Sequence, residues 1–221
     1  MIRKIAMEAP AWNKREIMRY ARIRGADDVY EKMINNCIKE AESVLSYRVC
    51  YMVLPVIDEA QALCLGNIKA PYQTIKKAIK NAQEVLLFAA TVGAPFDRLI
   101  QKYSLLEPSK ALMMQAIGAE RAESLCDAFC DMMNTELRRD GKSLTPRVSP
   151  GYGDIPMEMQ RDIFTVLDCS RQIGLTLDES LLMSPSKSVT AIAGIVEDCL
   201  PKNEKCNSCD KTDCAYRGYL K

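Results

Sequence analysis

Residues 147–156 read Arg-Val-Ser-Pro-Gly-Tyr-Gly-Asp-Ile-Pro, and each type has a chemical use. Arg147 carries a planar fork of donors that matches a carboxylate or phosphate. Pro150-Gly151 predicts a tight turn, with Pro presetting φ and Gly supplying φ > 0 at the next position. Gly151 and Gly153 leave room for a ligand to approach the backbone, and Tyr152 offers a flat face and a hydroxyl. A second cluster lies near the C-terminus, where Cys206, Cys209 and Cys214 follow a C-x2-C-x4-C spacing and Cys199 supplies a fourth thiolate. Four thiolates suit zinc or an iron–sulfur cluster; free or redox-active thiols are the alternative reading.

The remaining composition narrows the chemistry. The chain contains no histidine, which removes Ser-His and Cys-His nucleophile pairs, the commonest general base and every imidazole metal ligand. Thirty basic residues balance 29 acidic ones, and no basic tract marks a nucleic-acid partner. The N-terminal stretch lacks the continuous apolar centre of a signal peptide, so a cytoplasmic location and reduced cysteines are expected. No apolar run is long enough to predict a membrane span.

The elements that must position these residues follow from periodicity. Residues 13–24 predict a helix ended by Gly25, and a second helix runs from Asp27 or Asp28 to Leu45. Residues 47–56 and 60–65 predict strands, Pro71 opens a helix to Asn81, and the apolar run 85–93 predicts a strand buried on both faces. The longest helix spans 107–141, with Pro108 in its first turn and Gly141 at its end. Its core stripe is read as Leu112, Ala116, Ala119, Ala122, Leu125, Phe129 and Met133, and its polar face as Glu120, Glu123, Asp127 and Asp131. A helix from Pro156 to Ile173 and a strand over 188–196 complete the order. Strands and helices alternate without a regular βαβ beat, which predicts an α+β fold with a mixed, mostly antiparallel sheet.

The stretch R147-V-S-P-G-Y152, followed by G174-L-T-L-D-E-S180-L-L-M183-S-P185-S-K-S188-V, resembles the activation domain of cobalamin-dependent methionine synthase. That family reads R-x-x-P-G-Y, then G-x-x-L-T-x-S-x-x-M-x-P-x-x-S-V. "FAATVG" at 88–93 and "LCDAFCD" at 125–131 are fainter echoes, and the likeness covers roughly residues 85–190. It implies a domain that binds S-adenosylmethionine and presents it for reductive remethylation of an oxidised cobalamin held by another protein. Arg147 would contact the ligand with the Val148 backbone beside it, and Gly151 and Tyr152 would shape the pocket. Asp127 falls where the family has a ligand-contacting Glu, Asp178 replaces a family Thr, and "TAIAGIVEDCL" replaces an aromatic-rich covering segment.

The resemblance implies a free-standing module, residues 1–198, followed by a cysteine-rich tail, residues 199–221. Its expected partners are a corrinoid protein, or a methionine synthase lacking its own activation domain, and an electron donor. The rival expectation is a metal- or iron–sulfur-binding electron-transfer protein that works through the tail.

Overall fold

The computed structural model describes residues 1–197 apart from 24, 26, 27, 60 and 61. The chain begins with β1 (Arg3–Ala6), α1 (Lys14–Tyr20) and α2 (Asp28–Glu42). Next come β2 (Arg48–Glu59), β3 (Ala62–Leu65), β4 (Ile68–Lys69), α3 (Gln73–Ala78) and β5 (Glu84–Thr91). Two helices follow, α4 (Ala94–Leu106) and α5 (Pro108–Leu137), then β6 (Ser143–Leu144), α6 (Met159–Leu167) and α7 (Cys169–Ile173). A small hairpin of β7 (Thr176–Leu177) and β8 (Met183–Ser184) precedes β9 (Ser188–Val196).

The main sheet runs β4-β3-β2-β5-β9-β6, with β1 paired to the free part of β2, and its strand pairs are antiparallel. The α+β expectation therefore holds. Strand β5 is central because nearly every side chain on it is apolar and can be buried on either face. Leu86, Phe88 and Ala90 point into a core covered by α1, α2, α4 and α5. Val85, Leu87 and Ala89 point into a second core covered by α3, α6 and α7. Helix α5 is anchored on the first face by Phe129, whose ring lies 5.1 Å from both Tyr51 and Phe88. Each tilted aromatic pair adds about 0.5–1.5 kcal/mol beyond its buried area.

Several expectations shift. Leu112 is 60% exposed, and Met113, Met114 and Ile117 fill the core in its place. Glu120 is 1% exposed rather than part of a solvated acidic face. The helix expected from Pro156 to Ile173 starts at Met159 and breaks at Asp168, where φ is +46°. β1, α4 and the two-residue strands β4, β6, β7 and β8 were not anticipated. β1 and β6 pair with strands distant in sequence, two residues are too few to show a period, and no side chain caps the start of α4. Gly174 ends α7 as expected.

Candidate functional site

Arg147 is positioned by the sheet rather than by its own loop. Val148, the next residue, exchanges two backbone hydrogen bonds of 2.9 Å with Ile192 of β9. Neighbouring side chains on extended backbone point to opposite faces. Val148 packs on the α6–α7 core, and Arg147 reaches the other way, toward α5. There its guanidinium donates to the carboxylates of Asp127 and Glu123, the latter at 2.6 Å. Burial works to lower the pKa of the guanidinium, but the Asp127 and Glu123 carboxylates outweigh it and raise the pKa. Arg147 is thus a permanent cation.

Asp127 stands on two surfaces at once. It holds Arg147 on one side and lines an open groove of about 650 Å³ on the other. The groove runs between residues 10–15 of the N-terminal segment and the Ser124–Asp131 stretch of α5. Arg147 uses one N–H on each terminal nitrogen for its carboxylates. Three of its five donors remain available to a further acceptor among the described residues. Asp127, 69% exposed, is the member of this cluster that lines the groove, and Arg147, its side chain 19% exposed, stands behind it.

The turn after Arg147 forms as expected. Tyr152 N–H donates to the Ser149 carbonyl at 3.1 Å, and Gly151 has φ +83°. The space left by the two glycines is taken by the protein itself. A Cβ on Gly151 would lie 2.5 Å from the Met157 sulfur, and one on Gly153 only 2.2 Å from the Thr74 hydroxyl. Gly153 also has φ +61°. Tyr152 is 67% exposed on the outside of the turn.

One residue of this stretch acquires a role that composition did not suggest. Asp154 caps α3 from outside that helix, accepting the backbone N–H groups of Gln73 at 2.7 Å and Thr74 at 2.9 Å. The Thr74 side chain, then the Thr74 and Gln73 backbone donors, hold the Asp154 carboxyl down to about 2. The cap of α3 lies about eighty residues along the chain from its helix, and no local capping box marks it.

The cysteines divide into two groups. Cys199, Cys206, Cys209 and Cys214 lie outside the described residues. Of the others, Cys37 and Cys126 are buried and their thiols are pushed up by burial, Cys37 to about 11, so both are protonated core residues at neutral pH. Among the described residues no group of acidic or thiol side chains is arranged to hold a metal ion. None of the described helices is long and apolar enough to cross a membrane.

Comparison with known proteins accords with this architecture. No curated protein matches the chain. A solved structure, the MetH reactivation domain bound to AdoHcy, superposes with a TM-score of 0.65 at 15% identity, over 91% of this chain and 80% of that one. At that identity the likeness concerns the fold. Residues 59–198 match the family described as "Vitamin B12 dependent methionine synthase, activation domain". That match takes in the Arg147 loop, α5 and β9 together, and the chain belongs to this family.

Proposed function

We propose that this protein is a binding module that presents S-adenosylmethionine to a separate corrinoid protein for reductive reactivation. The observation that carries the reading is the Arg147–Asp127–Glu123 cluster at the edge of an open groove. When bound, S-adenosylmethionine supplies a methyl group on a sulfonium. Its carboxylate suits the spare donors of Arg147, and its ammonium or ribose diol suits Asp127. The groove beside it is lined by Lys14 and Arg15 as well as Asp127 and Asp131, a mixed lining that suits a zwitterionic amino-acid group. The similar MetH domain was solved with AdoHcy, the product left when that methyl is gone, which supports the same ligand class here. The Val148–Ile192 bridge fixes the height of Arg147, and Gly151, Tyr152 and Asp154 hold the turn behind it.

The chain has no histidine to serve as a general base. The module is accordingly proposed to act only with a corrinoid protein, or a methionine synthase lacking its own activation domain. A separate donor supplies the electron, and the methyl moves to the partner's cobalt. The cysteine-rich tail, 199–221, is proposed as a separate metal-binding appendage on the strength of its thiolate spacing. Metal analysis of the purified full chain, with and without serine at Cys206, Cys209 and Cys214, tests that part.

Isothermal titration tests the main reading. S-adenosylmethionine should bind the wild-type chain. Arg147→Ala should weaken binding by about 1.5–3 kcal/mol, the worth of a charge-assisted hydrogen bond. Unchanged affinity in the folded variant would remove Arg147 from the site. Methyl transfer by the chain alone, with no corrinoid present, would show an enzyme in place of a module.

A further inference from the structure

Residues 10–13 form much of one wall of the groove and have no regular secondary structure. An irregular segment needs its backbone polar groups satisfied from elsewhere, and here one arginine takes two of its carbonyls. Arg121 of α5 is fully buried. Its Nη1 donates to the Pro10 carbonyl at 2.7 Å and its Nη2 to the Ala11 carbonyl at 2.8 Å. Its Nε donates to Glu120 at 2.6 Å, and its guanidinium lies 3.8 Å from the centre of the Trp12 ring. Glu120 extends the network back to the groove. It accepts the Asn13 backbone N–H at 3.1 Å and the Ser124 hydroxyl at 2.7 Å. Asn13 in turn caps α1, its side chain accepting the Glu16 N–H at 3.2 Å. The Trp12 indole N–H donates to Glu42 of α2 at 2.9 Å.

We infer that the buried Arg121–Glu120 pair is a positioning latch: it fixes Trp12 and Asn13 as a rigid wall opposite Ser124 and Asp127, and so sets the affinity of the groove for its ligand. The inference rests on the groove being the S-adenosylmethionine site, but the latch has its own signature. An ordinary core contact could be apolar. This pair is charged, buried and joined by hydrogen bonds to two backbone carbonyls, a backbone N–H and a groove-lining hydroxyl. The pair fixes the path of residues 10–13, because a planar fork dictates where its acceptors lie. Lysine, a point charge with three rotatable donors, cannot reproduce that geometry.

Trp12 is the only tryptophan in the chain, so its fluorescence reports the wall directly. The test compares the full-length wild type with Arg121→Lys at a temperature where circular dichroism shows both folded. The latch requires a red-shifted and more quenchable Trp12 emission in Arg121→Lys, together with an S-adenosylmethionine affinity at least tenfold weaker. A variant with unaltered emission, or with altered emission but full affinity, overturns it. If Arg121→Lys does not fold, the wild type still decides. A latched wall loses its Trp12 signal at the same temperature as the helical signal, whereas a wall that melts earlier is not latched. Failure of the wild type to bind S-adenosylmethionine would refute the ligand reading and with it the latch's effect on affinity, while the emission data would still judge the wall.

Discussion

Helix α5 takes part in two arginine–carboxylate clusters about two turns apart, one with its own Arg121 and one with Arg147 of the following loop, and they are opposites. Arg121 and Glu120 are 0% and 1% exposed by side chain, and their polar atoms are taken up by backbone and neighbouring hydroxyls. Arg147 meets Glu123 and Asp127 at the surface, where the two carboxylates are 48% and 69% exposed. The same chemical groups therefore do different work. A buried pair is costly to desolvate and very costly to break, so it dictates one geometry. An exposed pair contributes little to stability and exchanges partners readily, which is what a binding site needs.

The comparison can be broken most sharply at Glu120. Glu120→Gln leaves a buried guanidinium without its counter-charge and should lower stability by about 3–5 kcal/mol in chemical denaturation. A loss below about 1 kcal/mol would mean the buried pair is no more structural than the exposed one. Gly153→Ala comes next. It puts a Cβ on a residue with φ +61° and against the Thr74 hydroxyl, and the left-handed backbone alone should cost about 1–2 kcal/mol. S-adenosylmethionine affinity should change little, because the β9 bridge at Val148, not the turn, positions Arg147. A large loss of affinity in the folded variant would show that the turn, too, positions Arg147.

Asp127→Asn should be nearly silent for stability, changing it by less than about 1 kcal/mol as expected for an exposed pair, while still lowering ligand affinity. A large stability loss without a ligand effect would mark Asp127 as structural. The smallest effect is expected at Asp154. Its carboxyl is depressed from the usual 3.8 to about 2, so the cap on α3 stabilises the fold above pH 4. That contribution is lost as the pH falls through about 2. In Asp154→Asn the acid limb of the stability profile should be shallower across that window, and an unchanged profile would refute the cap.

Much of the fold could be read from local pattern. The β9 strand was legible over its whole length, because β-branched and small apolar residues run unbroken between Ser188 and Val196. The long helix was legible for the same kind of reason, with Pro108 inside its first turn and Gly141 in the left-handed conformation after it. The break at Asp168 was not, since an aspartate forced to φ +46° leaves no mark in a helical hydrophobic period. Glu120 misled for a related reason. Its spacing with Glu123, Asp127 and Asp131 is that of a solvated face, and only the arrival of residues 10–13 buries it.

The motif at 147–152 determined by itself that a turn with a left-handed glycine follows an arginine, since Pro and Gly restrict their own backbone angles. The lack of histidine likewise settled which acid–base chemistry the chain does not have. What the arginine faces was decided by tertiary structure alone. A guanidinium reaches only a few ångströms from its backbone, and its carboxylates lie 20 and 24 residues away on α5. The β9 bridge at Val148 brings them together. Burial is likewise a property of the neighbours, so two arginines of the same chemistry became a fixed support and an open site.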